Sequence, residues 1–304
     1  MLRAAVIGIG SNSLRMLIAD IKDAQLHRVL RDREGLRVFA ALDKNGNIAD
    51  SMLDQACASV TAMKQKAMEM GADVIHLFAT SAVRDARNQR AFIERLLACT
   101  GLRLEVCSGE TEAKLSFIGA TSRERSGMID IGGGSTEIVI GQSEKIEYAD
   151  SLQMGAVRLF RAAPIRSAEE ALAMVKRVSS ILHPHKKTIM SLETPRQWVG
   201  VGGTFTTCAA LAQDVSWIER KLIHGYRLTQ EQVRSIMLSL ADMPMVDRLE
   251  LKGLQPQRAD IIVHGLAILY GCMQDMAIAS ITVSEHGNLE GYLKMAYMLT
   301  VAAS

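Results

Sequence analysis

Apolar residues recur along the chain in two alternating patterns, one with the spacing of β-strands and one with the spacing of helices. Before residue 122 the strand pattern covers 4–9, 14–20, 73–79 and 102–107, and the first two segments form a hairpin. The helix pattern covers 51–70, 88–100 and 110–121, and the first two of these segments stop at glycines, as helices commonly do. The alternation predicts an α/β fold.

The same order of elements returns in the rest of the chain. A strand, a glycine-rich turn and another strand begin at Gly127, and strands are also predicted at 145–151, 197–201 and 280–284. Helices are predicted at 204–211, 257–276 and 289–300. Two capping boxes, Ser167-x-x-Glu170 and Thr229-x-x-Gln232, predict two more helix starts. We therefore predict two domains built on one plan, 1–122 and 123–304.

The turn after the first strand of each half is rich in glycine and hydroxyl side chains. The first turn is Gly8-Ile9-Gly10-Ser11-Asn12-Ser13 and the second is Asp130-Ile131-Gly132-Gly133-Gly134-Ser135-Thr136. Glycines let the backbone bend with its N–H groups turned inward, and the hydroxyls add donors, so each turn suits a phosphate. Alignment of the turns puts Gly8 in the place of Asp130, a carboxylate suited to Mg²⁺. An aspartate at position 8 would add a metal-binding oxygen, unless Gly8 lies against another chain segment.

Charge and hydropathy limit the partners. The formal net charge of +2 is far from that of a nucleic-acid-binding protein, so a polyanion would need a local patch. The clustered arginines are Arg31, Arg33 and Arg37, then Arg84, Arg87 and Arg90, and then Arg123 and Arg125; a solvated face explains all of them except Arg84. The chain runs from Met1 straight into a strand and has no stretch of membrane-spanning length. We expect a cytoplasmic protein with neither nucleic acid nor membrane as a partner.

Other common site patterns are missing. The five cysteines are odd in number and have no CxxC spacing, which indicates reduced core residues. His183 and His185, around Pro184, are expected in a loop after a helix end, and no histidine has the spacing of a metal site. The sequence has neither a GxxxxGK[ST] loop nor a GxGxxG turn within a βαβ unit, so the usual nucleotide-binding folds have no support.

Seven stretches in a fixed order carry a resemblance to a known family. They are residues 10–15, 79–88, 108–113, 130–137, 155–159, 200–204 and 258–262. On these stretches the chain resembles the exopolyphosphatase and guanosine pentaphosphate phosphohydrolase family, a branch of the actin, sugar kinase and heat-shock ATPase superfamily. Longer members add a C-terminal helical domain with a His-Asp metal motif, and we expect a short form without it.

The resemblance implies both a fold and an activity. The expected fold is a pair of duplicated actin-like (ribonuclease H-like) α/β domains with a phosphate-binding cleft between them, and a final helix at about 288–304 that packs back on the first domain. The implied activity is hydrolysis of the terminal phosphoanhydride of inorganic polyphosphate with Mg²⁺ or another divalent cation. Guanosine pentaphosphate is the alternative substrate. We also expect a homodimer.

The resemblance assigns roles to residues of both turns. The pattern Ser-Gly-x-x-Glu-Ala falls on 108–113 and implies Glu112 as the base that activates water. Asp130 and Glu137 flank the second turn and are the candidate metal ligands. The candidate phosphate-binding residues are Gly10, Ser11, Asn12, Ser13, Arg15, Arg84, Gly132, Gly133, Gly134, Ser135, Thr136, Gly203 and Thr204. Gly203 and Thr204 belong to a third glycine turn, which resembles the nucleotide-ribose or distal phosphate turn of the superfamily.

Structural alternatives exist for each role. A carboxylate such as Glu112 is favoured in a first helical turn by the helix dipole alone, and Asp130 has the position of a residue that caps its own turn. For Arg15 and Arg84, the alternative to phosphate binding is an ordinary surface ion pair. For the whole chain the alternatives are a non-catalytic sensor of polyphosphate or nucleotide, suggested by Gly8, and an actin-like ATPase or sugar kinase.

Overall fold

The computed structural model describes residues 1–298, which form two sheets and the helices around them. The strands are β1 Leu2–Ile9, β2 Ser13–Lys22, β3 Gln25–Gly35, β4 Val74–Ala79, β5 Leu104–Val106, β6 Arg125–Ile131, β7 Thr136–Gln142, β8 Lys145–Leu152, β9 Gln197–Val201, β10 Arg227–Thr229 and β11 Ser280–Ser284. The helices are α1 Asp50–Glu69, α2 Ser81–Arg84, α3 Gln89–Thr100, α4 Gly109–Ala120, α5 Ala156–Ala162, α6 Ala168–Ser191, α7 Gly203–Ala212, α8 Arg220–Ile223, α9 Gln230–Asp242, α10 Met245–Leu249, α11 Ile262–Asp275 and α12 Asn288–Ala296. Of the predicted final helix, positions 299–304 lie outside the described residues.

The chain divides into two compact units. Unit 1 is Met1–Gly119 together with the chain from Asn288 onward, and unit 2 is Ala120–Gly287. The sheet of unit 1 has the order β3-β2-β1-β4-β5, and the sheet of unit 2 has the order β10-β11-β9-β6-β7-β8. In each unit a three-stranded antiparallel meander, β1-β2-β3 or β6-β7-β8, has a parallel strand, β4 or β9, beside its first strand. The two sheets therefore share one plan.

Each sheet is buried because apolar helices cover it. In unit 1 the apolar residues of β1 and β2 pack with Leu289 and Leu293 of α12, and in unit 2 nearly every residue of α11 is buried in the core. Apolar burial of this kind is the main favourable term in folding. No helix among residues 1–298 is long and apolar enough to cross a membrane.

The segments that differ from the sequence-based expectation include β3, the start of α11 and the middle of α6. Residues 25–35 form β3, an edge strand that the pattern missed because charged residues interrupt it; Arg31 there pairs with Glu290 at 3.1 Å. The predicted helix 257–276 is instead a 3₁₀ turn at Pro256–Arg258 followed by α11. His183 and His185 lie inside α6, which continues through Pro184, so their expected position in a loop was wrong.

The helix starts predicted from capping boxes are confirmed. The Thr229 side chain accepts from the Gln232 N–H, and the Gln232 side chain accepts from the Thr229 N–H. Ser167 accepts from the Glu170 N–H at 3.2 Å. Satisfying these N–H groups stabilises a helix end that would otherwise have unpaired donors.

Candidate active site

The first turn joins β1 to β2 and closes on itself. The Gly10 N–H donates to the Ser13 carbonyl at 3.0 Å, and a Cβ at Gly10 would lie 3.1 Å from that oxygen. The Ser11 hydroxyl is 2.7 Å from the hydroxyl of Ser81, the first residue of α2. The Asn12 amide is buried, and neither its nitrogen nor its oxygen has a hydrogen-bond partner. A buried amide without a partner is unfavourable, which makes the Asn12 amide a candidate for binding a ligand.

The second turn, between β6 and β7, repeats that geometry. The Gly132 N–H donates to the Ser135 carbonyl at 3.0 Å, and a Cβ at Gly132 would also lie 3.1 Å from that oxygen. The Gly133 carbonyl accepts from the Arg158 N–H of α5 at 3.0 Å, so the turn is anchored to that helix. The Thr136 hydroxyl donates to a backbone carbonyl, that of Met154. That hydroxyl therefore has no proton left to donate to a phosphate, while the backbone of the turn keeps the predicted form.

The two turns differ in what stands at the end of the first strand. Asp130 is opposite Glu137 across β6 and β7, and Gly8 is opposite Arg15 across β1 and β2. A Cβ at Gly8 would lie 2.9 Å from the ring of Phe78. It would also lie 3.0 Å from the side chain of Leu289, so the space that a side chain at position 8 would enter is already filled by apolar groups.

Buried Glu112 pairs with partly buried Arg84 in unit 1. Glu112 is only 7% exposed, and its Oε2 accepts from Nη1 of Arg84 at 3.0 Å. The same Nη1 donates to the Cys107 carbonyl at 3.2 Å, while Nη2 of Arg84 is buried without a hydrogen-bond partner. By contrast, Glu110 is exposed on the same helix. The guanidinium thus fixes the Glu112 carboxylate and retains one N–H group able to bind an anion.

Arg84 is connected to the first turn through its own short helix. It ends α2, whose first residue, Ser81, contacts Ser11, and the Thr80 N–H donates to the Ile9 carbonyl at 3.1 Å. Arg15, on β2, donates from Nη2 to Oδ1 of Asn288 at 3.2 Å, at the first residue of α12. Unit 1 therefore brings the first turn together with Arg84 and Glu112, and Asn288 holds the side chain of Arg15.

The third glycine turn lies against Asp130 in unit 2. Gly202 has φ +101°, which favours glycine, and a Cβ there would lie 3.1 Å from Oδ1 of Asp130. The guanidinium of Arg258 occupies the space beside Gly203 that a side chain there would need. Thr204 is buried against Gly265 of α11. The second turn, the third turn and Arg258 therefore lie close together in unit 2.

Asp130 and Glu137 have the chemistry of a magnesium site. Both are buried, and Oε1 of Glu137 accepts from the Ser151 hydroxyl at 2.7 Å, which orients that carboxylate. Mg²⁺ prefers oxygen ligands and is commonly held by one or two carboxylates, with waters and phosphate oxygens completing the shell. Across residues 1–298 no cluster of three or more His, Cys, Asp or Glu is arranged for a metal. The two carboxylates fit a metal that shares its ligands with a phosphate.

Several contacts of the candidate site have no signal in the local sequence. Ser151 reaches Glu137 from another strand, and Asn288 reaches Arg15 across 273 positions of the chain. Arg258 was visible only as the first residue of the seventh family stretch. Its position on the third turn depends on the 3₁₀ turn at Pro256–Arg258, which the helical pattern of the segment concealed.

The chain has extensive similarity to known proteins. A family model described as the Ppx/GppA phosphatase family matches residues 17–297. Exopolyphosphatase 2 of Mycobacterium tuberculosis is 32% identical over 310 aligned residues, which cover 95% of this chain and 97% of that protein. A Ppx/GppA family member from Aquifex aeolicus superposes with a TM-score of 0.82 at 27% identity over 98% of both chains. An exopolyphosphatase from Cytophaga hutchinsonii superposes with a TM-score of 0.87 at 25% identity, covering 99% of this chain and 100% of that one.

These similarities confirm the expectation from the seven stretches. The predicted α/β fold class is confirmed by the superpositions, which extend over nearly the whole chain. The family match likewise spans both units and all but the first of the seven stretches in full. We conclude that this chain belongs to the Ppx/GppA phosphatase family.

Proposed function

We propose that this chain is an exopolyphosphatase, which hydrolyses the terminal phosphoanhydride bond of inorganic polyphosphate and releases orthophosphate. Relatives named exopolyphosphatase, from Mycobacterium tuberculosis and Mycobacterium bovis, align with 95% and 96% of the chain. Guanosine pentaphosphate also ends in a phosphoanhydride and is the second candidate substrate for the same groups. The observation that carries the proposal is the pairing of buried Glu112 with Arg84 next to the first turn.

In this proposal Glu112 is the general base. A water attacks the terminal phosphorus while Glu112 takes one of its protons; the bond from phosphorus to the bridging oxygen breaks, and the shortened chain leaves with that oxygen. The hydrogen bond from Arg84 at 3.0 Å supports the role because it holds the Glu112 carboxylate in a fixed position. Burial keeps the carboxylate in one orientation for this transfer.

Each unit has its own set of candidate phosphate-binding groups in this proposal. In unit 1 these are the backbone of the first turn, Ser11, Ser13, the unpartnered Asn12 amide, Arg15 and the free Nη2 of Arg84. In unit 2 they are the glycine backbone of the second turn, Ser135, Gly203 and Thr204. N–H groups and guanidinium groups stabilise the charge of a transferring phosphoryl group.

We further propose that Asp130 and Glu137 hold Mg²⁺ in the working enzyme. When bound, the ion neutralises charge on the phosphate oxygens during transfer. The support is the pair of buried carboxylates in register on β6 and β7. A cytoplasmic location and a homodimer remain part of the proposal as expectations from the sequence.

The experiment is phosphate release by Glu112→Gln, tested on polyphosphate, guanosine pentaphosphate and ATP, each with and without Mg²⁺. The expected loss on polyphosphate is about 10²- to 10⁴-fold in kcat with binding retained, because a missing general base costs that much. Glu110→Gln is the matched control, since Glu110 is exposed on the same helix and should keep the parent rate. Full activity of Glu112→Gln would refute the role of Glu112, and turnover of ATP alone would favour the actin-like ATPase.

A further inference from the structure

Two cysteines on different helices of unit 1 lie at the same turn of α3. Cys57 is on α1 and Cys99 is on α3. The Cys57 thiol donates to the Arg95 carbonyl at 3.8 Å, and the Cys99 thiol donates to the Leu96 carbonyl at 3.5 Å. Both thiols therefore lie against neighbouring carbonyl groups of one helical turn, and neither helix carries a residue assigned to hydrolysis.

Neighbouring contacts hold α1 and α3 in the same register. Asp54 of α1 forms an ion pair with Arg95 of α3, one turn before the cysteines on each helix. Farther along, Nζ of Lys64 donates to the Thr100 carbonyl at 2.7 Å. The contacts at 54–95 and 64–100 flank the turn of α3 that both thiols contact. They hold α1 against α3 at the level of the two cysteines.

One thiol of the pair is accessible and the other is protected. Cys99 is exposed and Cys57 is buried. Burial raises the pKa of the Cys57 thiol to about 12, and the neighbouring Cys99 acts in the same direction. Because the thiolate is the reactive form and access is required, a dissolved oxidant reacts first at Cys99. Cys57 is then close enough to react with the oxidised sulfur of Cys99.

We propose that Cys57 and Cys99 form a reversible disulfide when the protein meets a peroxide. The Cys99 sulfur attacks one oxygen of hydrogen peroxide, the O–O bond breaks, and a sulfenic acid and one water form. The Cys57 sulfur then attacks the Cys99 sulfur; the S–O bond breaks and a second water leaves with the Cys57 proton. Overall, two thiols give up two hydrogen atoms, and the peroxide is reduced to two waters.

The disulfide would close a loop of the chain between α1 and α3. Such a closure restricts the unfolded chain and so stabilises the folded form, provided that the bond fits without strain. The remaining cysteines, Cys107, Cys208 and Cys272, are buried and serve as internal controls in the same molecule. In a reducing compartment a bond of this kind is transient and responds to oxidants.

The test is mass spectrometry of the full-length protein after treatment with hydrogen peroxide and alkylation of the remaining thiols. Trypsin releases Cys57 in peptide 45–64 and Cys99 in peptide 96–103, each with a single cysteine. We expect the two peptides joined, lighter by two hydrogens than their sum, and separated again by dithiothreitol. Cys57→Ser and Cys99→Ser should each abolish the joined species. The oxidised parent should also melt roughly 5 °C or more above its reduced form, and Cys99→Ser should show no such rise.

Two results would overturn the proposal. One is oxidation of Cys99 to sulfinic acid while Cys57 remains an alkylated free thiol. The other is a disulfide between two copies through Cys99 that forms equally in the parent and in Cys57→Ser. Because Cys99 is exposed, Cys99→Ser should fold normally, and Cys57→Ala is a second variant for the buried position.

Discussion

The first and second turns have the same backbone and opposite chemistry. Both close with a glycine N–H bonded to the carbonyl three residues later at 3.0 Å, and in both a Cβ on that glycine would lie 3.1 Å from the same carbonyl oxygen. At equivalent positions, however, the second turn has Asp130 opposite Glu137, and the first has Gly8 opposite Arg15. In our proposal one backbone plan therefore carries candidate metal-binding carboxylates in unit 2 and a candidate phosphate-binding arginine in unit 1. The comparison teaches that backbone geometry and ligand preference are set by different residues.

The largest effect is expected at Asp130. Asp130→Asn removes a charged oxygen that we assign to the metal while keeping the size of the side chain, so kcat/KM should fall about 10²-fold. Part of the loss should be recovered at high Mg²⁺ concentration. Titration of phosphate release with Mg²⁺ measures both effects. A variant with the parent rate and metal requirement would leave Asp130 as a residue that caps its own turn.

The second prediction concerns Gly8→Asp, which adds a carboxylate at the start of the first turn. Gly8→Asp would push a charged group into the contact between Phe78 and Leu289, so we expect about 2 kcal/mol of lost unfolding free energy and no change in the Mg²⁺ requirement. Urea unfolding and Mg²⁺ titration measure the two outcomes. Gly8→Ala is the control that adds the steric clash without the charge and should lose less. A stable Gly8→Asp enzyme that needs less Mg²⁺ would make position 8 a metal-ligand position after all.

The third prediction concerns the anion-binding side of the comparison. Arg84→Ala should raise KM for polyphosphate about tenfold, because a hydrogen bond between charged groups contributes about 1.5–3 kcal/mol. It should also lower kcat, since Glu112 loses the partner at 3.0 Å that fixes it. The increase in KM should shrink at high salt, where the attraction is already screened. Steady-state kinetics at two ionic strengths would contradict the assignment if KM stayed the same at both.

The smallest effect is a difference in acid sensitivity between the units. Burial lowers the pKa of His76 on β4 and of His264 on α11; Glu105 opposes the shift of His76. Because each folded pKa is below the unfolded value of about 6.5, both units should keep full stability above that pH and lose it as the pH falls further. His264 is the more deeply buried, so on acidification the loss of hydrogen-exchange protection should be larger in α11 than in β4. His264→Gln should reduce the loss in α11, and equal losses in parent and variant would contradict this cause.

Much of this fold could be predicted because hydrophobic spacing determines it. The hairpin β1–β2, helix α1 and both capping-box helices follow from patterns within a few residues. By contrast, β3 was missed because Arg28, Arg31 and Arg33 interrupt its apolar pattern. An edge strand tolerates these charges because its side chains are solvated or, like Arg31, form an ion pair. Pro184 suggested a helix end, which was wrong. Helix α6 continues through Pro184 because the apolar face of the helix is buried both before and after this residue.

The candidate site was only partly accessible to the sequence. The turns and Glu112 could be named from the family stretches, and the contrast with Glu110 appears in the structure as burial of one and exposure of the other. The partnership of Arg84 with Glu112 could not be foreseen, because it joins α2 to α4 across 28 positions. The filled space at Gly8 was equally invisible, since Leu289 comes from the far end of the chain.

The central claim is that unit 2 alone supplies the metal-binding carboxylates. The most direct measurement is Mn²⁺ binding, followed by electron paramagnetic resonance, to Glu112→Gln protein with tripolyphosphate, so that the substrate is not consumed. Addition of Asp130→Asn should weaken Mn²⁺ binding at least about tenfold, and addition of Glu110→Gln, which changes an exposed carboxylate, should leave it unchanged. Equal Mn²⁺ binding with and without Asp130→Asn would contradict the account.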